Sequence, residues 1–156
     1  MNTKNHPGIY VPPPLIYIAF FFLSILMQKV WPIDKTELYT VSARVIGWLL
    51  LALYGLLAFV SIRQFVLSKN TLVTIKAATS LQTRGIYGIT RNPMYLSLVL
   101  FYCGLGIFFG NWWTFILLPF LIAVVQLYVI RKEEHYLQNN FGTDYEAYRK
   151  KVRRWI

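Results

Sequence analysis

Residues 91–95, Arg-Asn-Pro-Met-Tyr, form the stretch of the sequence best suited to bind a charged ligand. Asn92 is a favoured N-cap residue, and Pro93 suits the first position of a helix, where a missing N–H costs nothing. The first turn of that helix would present free N–H groups and a positive dipole end beside the Arg91 guanidinium. The stretch therefore predicts an anion site. The alternative interpretation is a plain membrane helix cap with an arginine at the interface.

The second such stretch is the acidic pair Glu133 and Glu134, directly after a long apolar run. Carboxylates at the exit of a membrane helix lie near its negative dipole end, unless the helix continues. They therefore need basic partners, or a ligand that is cationic or carries hydroxyl groups. The adjacent His135 is a candidate general base, with a solvated side chain as the alternative. His6 and His135 have no second ligand at metal spacing, so no metal site is predicted.

The composition determines the class of protein that must position these residues. With 156 residues the chain suits a single domain, residues 1–156. Hydrophobic residues make up 56% and aromatic residues 17%, which is more than a soluble domain carries. The net charge of +10 could indicate nucleic acid, but the basic residues flank apolar runs, which favours contact with anionic lipid headgroups. We therefore predict an integral membrane protein in contact with the lipid bilayer, without a nucleic-acid partner.

The apolar runs predict an all-α fold with about four transmembrane helices, near residues 14–30, 43–63, 93–109 and 113–130. The first run holds only about 13 apolar residues, so whether it crosses the bilayer fully stays open. Residues 95–130 are too many for one crossing, and the Gly-Asn-Trp-Trp sequence at 110–113 predicts a hairpin at the membrane interface.

Residues 131–156 are predicted to form a cytoplasmic tail. Gly142 can end one helix, and a further amphipathic helix would carry Tyr145, Tyr148 and Val152 on one face, against a basic face suited to a membrane surface. Lys29, Lys35 and Arg44 are the basic residues between the first two spans, out of 16 in the chain. The excess of basic residues elsewhere predicts that both termini and the active site face the cytoplasm of a bacterial inner-membrane protein.

In combination, these residues resemble the isoprenylcysteine carboxyl methyltransferase and phospholipid methyltransferase family over about residues 44–156. The resemblance is carried by the ordered set Thr79-Ser80-Leu81-Gln82, Tyr87, Asn92-Pro93-Met94-Tyr95, Glu133-Glu134, Leu137, Phe141-Gly142, Tyr145 and Tyr148. It implies an integral membrane enzyme that uses S-adenosylmethionine without a Rossmann domain. The acceptor it implies is lipophilic, either a prenylcysteine carboxylate or a phospholipid amine.

The resemblance also implies the site. The cofactor-binding residues would be Thr79, Ser80, Leu81, Gln82, Tyr87, Asn92, Pro93, Met94, Tyr95 and Glu133. The methionine carboxylate suits the helix start, and the Glu side chains suit the amino group or ribose hydroxyls. Arg91 and Glu134 are the predicted catalytic residues. The expected mechanism is in-line displacement, in which a carboxylate acceptor needs no general base, whereas a protonated amine would need Glu134 or His135.

The sequence departs from the family at the position that would bind the substrate. Prenylcysteine enzymes carry an arginine about one turn before the acidic pair, where this chain has Val129. Arg131 is therefore the predicted substrate-binding residue. Two alternatives from other classes stay open: a membrane reductase of the sterol type that uses NADPH, and a small transporter or scaffold without enzymatic activity. The identity of the acceptor and the oligomeric state are open as well.

Overall fold

The computed structural model describes residues 7–67 and 80–156, apart from the side chain of Phe65, and the regular secondary structure in these ranges is helical, with no strand. Within these ranges, three helices are long and apolar enough to cross a membrane: Pro13–Val30, Val41–Gln64 and Trp112–Lys151. A fourth apolar helix, Pro93–Phe108, is shorter. The predicted all-α class is confirmed, and the apolar helices support an integral membrane protein.

The first two helices begin for local reasons. Helix α1, Pro13–Val30, has prolines at its first positions, where no N–H donor is needed. Its 18 residues rise about 27 Å, close to the thickness of the bilayer hydrocarbon core. Helix α2, Val41–Leu67, is preceded by Thr40, whose Oγ1 accepts a hydrogen bond from the Ala43 N–H at 3.2 Å.

Helices α3, Pro93–Phe108, and α4, Trp112–Val124, are joined by the tight turn that the sequence predicts. Gly110 has φ +59°, and a Cβ atom there would lie 2.7 Å from the Tyr39 ring. Asn111 then caps α4, because its side chain accepts the Trp113 N–H at 3.1 Å. Asn111 Nδ2 also donates to the hydroxyl of Ser24 in α1 at 3.0 Å, which holds the turn against that helix.

The last apolar helix of the chain, α4, does not end where the charged residues begin. Helix α4 passes through a π-helical segment, Val125–Ile130, directly into α5, Arg131–Lys151. The first non-helical residue of α5 is Gly142, with φ 46° and ψ −116°. The acidic pair therefore lies within a continuous helix, away from a negative dipole end.

Helix α3 occupies the centre of the packing, with α2 on one side and both α1 and α4 on another. Its glycines allow the close approach: a Cβ atom at Gly104 would lie 2.8 Å from Leu51 of α2, and one at Gly106 would lie 2.8 Å from Thr114 of α4. Helix α1 packs mainly against α4. Helix α3 is thus packed against α1, α2 and α4.

Two clusters of buried side chains lie on either side of the acidic pair. The membrane core cluster consists of Ile9, Ile16, Tyr17, Tyr95, Tyr102, Leu121, Val125, Val129 and Ile130. The tyrosine cluster consists of Tyr145, Tyr148 and Val152, packed against Leu81, Leu137 and Phe141. The apolar face predicted for the last amphipathic helix is therefore covered by protein, whereas Arg149, Lys150, Lys151 and Arg153 are exposed.

Candidate functional site

Asn92 and Pro93 occupy the predicted positions at the start of α3, but the side chain of Asn92 makes a different hydrogen bond from the one expected. Asn92 stands at the N-cap position, yet its side chain makes no capping bond. Its Nδ2 instead donates to the carbonyl oxygen of Arg154 at 2.9 Å. The N–H groups in the first turn of α3 are consequently left unclaimed by Asn92, and they remain suited to an anionic ligand.

Arg91 lies beside this helix start and is 9% exposed. Its Nη1 lies 3.0 Å from Glu134 Oε1, and it also donates to the Tyr145 hydroxyl at 3.0 Å. The Nε of Arg91 is buried, and no hydrogen-bond partner for it occurs in the part of the chain that the structure describes. A buried donor without a partner costs about 1–3 kcal/mol, so the position favours an added acceptor.

Glu134 is held between two guanidinium groups. Besides Arg91, it receives Arg154 in a bidentate pair, with Nε to Oε1 at 2.9 Å and Nη2 to Oε2 at 2.7 Å. Paired bonds from one guanidinium to one carboxylate combine charge with fixed geometry. Both oxygens of Glu134 are therefore engaged by arginine donors.

Glu133 has a different environment from its neighbour. The Tyr95 hydroxyl donates to Glu133 Oε1 at 2.7 Å. Burial raises the pKa of Glu133 to about 7; the Tyr95 hydrogen bond opposes this rise, and the Glu134 charge adds to it. Two adjacent carboxylates thus differ in role: Glu134 is a fixed ionic partner, and Glu133 titrates near neutral pH.

The loop before α3 forms another wall of the site. Tyr87 is buried in a short 3-10 helix, Gly85–Gly88, and its carbonyl oxygen accepts the Tyr148 hydroxyl at 2.7 Å. Burial and the nearby Glu133 charge raise the pKa of the Tyr87 phenol. Leu81 packs on the tyrosine cluster, and Gln82 Nε2 donates to Ser80 Oγ at 3.0 Å.

The structure brings most of the predicted site residues to one place. Tyr87, Arg91, Asn92, Tyr95, Glu133 and Glu134 are linked by the contacts above. Pro93 is buried and Met94 half-buried in the same helix start. Thr79 lies outside the described residues.

Arg131 and His135 do not join these residues. Both are exposed, and Arg131 makes no ion pair with any residue in the described ranges. No group of three or more potential metal ligands occurs there either. An open groove of about 490 Å³ lies at the other end of α1, around Gln28 and Lys29, and takes no part in the site.

Sequence reasoning missed Arg154, which it placed on a basic helix face suited to a membrane surface. No local pattern in the sequence distinguishes Arg154 from the basic residues around it. The residues from 152 onward leave α5 and cross the start of α3, where Arg153 pairs with Thr90.

Comparison with known proteins extends these observations. Residues 42–144 match the family described as phospholipid methyltransferase. An uncharacterized protein of Haemophilus influenzae is 38% identical over 63 residues, which is 40% of this chain and all of that protein. The protein-S-isoprenylcysteine O-methyltransferase of Schizosaccharomyces pombe is 36% identical over 72 residues, 46% of this chain but only 30% of that enzyme. No solved structure matches significantly.

Proposed function

The chain belongs to the phospholipid methyltransferase family, and from this premise we propose that it transfers a methyl group from S-adenosylmethionine to a lipophilic acceptor. Family membership and the yeast relative indicate a membrane methyltransferase. The observation that carries the finer proposal is the pairing of Glu133 with Tyr95, beside the ionic cluster of Arg91, Glu134 and Arg154. We propose that residues 1–156 act as one domain.

The residues at the site fit the two charged ends of the cofactor's methionine part. The buried Nε of Arg91 has no hydrogen-bond partner within the described residues, and the Asn92 side chain makes no bond to the N–H groups in the first turn of α3. Both sets of donors therefore suit a carboxylate. Glu133 suits an ammonium group, since within the described residues the Tyr95 hydroxyl is the one side-chain group that donates a hydrogen bond to it. S-adenosylmethionine supplies a methyl group already activated by a sulfonium. Ser80, Leu81, Gln82 and Tyr87 are proposed to line the remaining wall.

The protein's own contribution is to orient the partners, exclude water and hold a proton where one must leave. Tyr95 lies in the membrane core cluster, and its carbonyl oxygen accepts the Tyr17 hydroxyl at 3.1 Å. An acceptor that enters from the membrane would approach the site past these apolar side chains, which exclude water from the reacting groups. A carboxylate acceptor needs no base, whereas for a protonated amine His135 is the proposed base, since both oxygens of Glu134 are engaged by arginines.

Calorimetry on the detergent-purified protein tests this function, with S-adenosylmethionine and NADPH titrated separately. Saturable binding of S-adenosylmethionine alone supports the methyltransferase. Binding of NADPH alone supports a reductase, and binding of neither supports a scaffold or transporter. Glu133→Ala and Asn92→Ala are expected to abolish cofactor binding and to leave membrane insertion intact. Lys151→Ala, at an exposed position, serves as the control.

A further inference from the structure

The residues that follow α5 run back across the site in an extended conformation. Val152 has φ −120° and ψ 130°, and Arg153 pairs with Thr90. The carbonyl oxygen of Arg153 accepts the Arg91 N–H at 3.0 Å. The backbone of this segment is therefore fixed to the loop immediately before α3.

Arg154 makes two kinds of contact from this fixed backbone. Its carbonyl oxygen accepts Asn92 Nδ2 at 2.9 Å and Thr90 Oγ1 at 3.3 Å. Its guanidinium forms the bidentate pair with Glu134. One residue thus connects the start of α3 to the acidic pair of α5, two elements that are proposed to hold opposite ends of the cofactor's methionine part.

Trp155 anchors the segment on its other side. The indole Nε1 donates to Gln126 Oε1 at 3.2 Å, and the ring packs on the membrane core cluster. Gln126 belongs to the π-helical segment between α4 and α5. The position of Arg154 is therefore determined by neighbours on both sides rather than by solvent.

On the premise of the methyltransferase function proposed above, we propose that Arg154 is a positioning residue of the cofactor site. It holds Glu134 against Arg91 and neutralises its charge, so that Glu133 alone meets the ammonium group of the cofactor. Removing the Arg154 guanidinium leaves Glu134 with Arg91 as its remaining ionic partner.

The charged and titratable groups around Glu133 determine the pH at which it ionises, and this pH is the quantity that reports the role of Arg154. They are Tyr95 from α3, Tyr87 from the preceding loop, and Glu134 on α5 with the two arginines that reach it. With Arg154 removed, the less neutralised Glu134 disfavours ionisation of Glu133. Cofactor binding, which needs ionised Glu133, then requires a higher pH.

The test is the affinity for S-adenosylmethionine, measured by calorimetry from pH 5.5 to 7.5 on the parent protein and variants. Arg154→Gln is expected to move the midpoint of the pH dependence upward by about half a unit or more. Arg154→Lys is expected to restore the midpoint, because lysine carries the same positive charge, although it cannot form the bidentate pair. Arg153→Ala loses the same charge from an exposed side chain and keeps the backbone bonds, so its midpoint should stay at the parent value.

A double-variant comparison separates positioning from folding. In a Glu134→Gln background, Arg154→Gln should cause no further shift of the midpoint, because no carboxylate is left to neutralise. Equal midpoints for the parent and Arg154→Gln overturn the proposal, as does an equal shift in Arg153→Ala. A parent protein that fails to bind S-adenosylmethionine at any pH overturns the proposed function and this role together.

Discussion

The Tyr95 hydroxyl donates to Glu133 Oε1 at 2.7 Å and joins two helices across 38 positions of the chain. Tyr95 belongs to the membrane core cluster, and Glu133 follows the last apolar residues of the fourth helix. The bond therefore lies at the boundary between the apolar bundle and the charged cluster. The protonation of Glu133 is linked to the packing of α3 through this single contact.

We expect the stability of the cofactor-free protein to fall as the pH rises from about 5.5 to 8. The folded-state pKa of Glu133, about 7, lies above its ordinary value of 4.5. A raised carboxyl pKa contributes stability that is fully present below the unfolded pKa and is lost as the pH rises through about 7. Thermal melting in detergent at several pH values measures this fall.

Glu133→Gln is the matched variant for that experiment. It keeps an oxygen for the Tyr95 hydroxyl and removes the titrating group, so the difference in melting temperature between variant and parent should grow with pH. Groups that are the same in both proteins cancel in the difference, and the lowered pKa of Asp34 acts below the tested range. A difference that is constant over the whole range contradicts the assignment.

Tyr95→Phe should weaken the site through the loss of one hydroxyl. Without this donor the pKa of Glu133 rises further, and the affinity for S-adenosylmethionine should require a higher pH. A hydrogen bond to a charged group contributes about 1.5–3 kcal/mol, so a clear loss of stability above pH 7 is also expected. Calorimetry and thermal melting measure the two effects.

Tyr102→Phe provides the control for a buried phenol on the same helix. Tyr102 is 2% exposed, and its hydroxyl has no hydrogen-bond partner within residues 7–67 and 80–156. Removing a partnerless buried hydroxyl should leave the stability unchanged or increase it, and cofactor affinity should not change. If both tyrosine variants lower the affinity equally, the loss comes from altered packing rather than from the bond to Glu133.

Asn111→Ala should destabilise the protein without affecting cofactor binding. Asn111 is 2% exposed, caps α4 and donates to the Ser24 hydroxyl, which also lies 3.2 Å from Thr114 Oγ1. Loss of a cap costs about 1 kcal/mol, and the partner left buried adds to this cost. Thermal melting should show the loss, while calorimetry should return the affinity of the parent protein.

The proposed orientation in the membrane can be tested with single cysteines. In a Cys103→Ala background, Lys35→Cys should react with a membrane-impermeant maleimide in intact cells, and Arg149→Cys should react only after the membrane is opened. Both side chains are exposed, so access to reagent rather than burial decides the result. The reverse pattern would place the site on the outer side and contradict the positive-inside prediction.

The sequence predicted those parts of the fold that depend on local chemistry. The Asn-Pro start of α3 and the Gly-Asn turn before α4 follow from residue types that suit those positions in any protein. The grouping of Asn92, Arg91 and the acidic pair could be anticipated only through the resemblance to a family, since nothing local indicates that residues 40 positions apart meet.

The remaining features depend on tertiary contacts. Asn92 was expected to cap its own helix, but the backbone carbonyl of Arg154 offers its amide a better partner. Arg154 itself belongs to a basic run, which is most often solvated, and only the return of the chain across Thr90 gives it a role. Sequence also could not distinguish the two glutamates, because their difference arises from which arginines and tyrosines surround each one.

The return of residues 152–156 across the start of α3 has a consequence for the order of folding. The contacts that close the site join residues 38, 54 and 62 positions apart. Contacts this distant in sequence form late, after the local helices and their hairpin. During synthesis, a chain that has inserted its apolar helices still lacks the closing segment. We therefore expect a nascent chain to reach the bilayer before it can hold a cofactor, so that membrane insertion precedes activity.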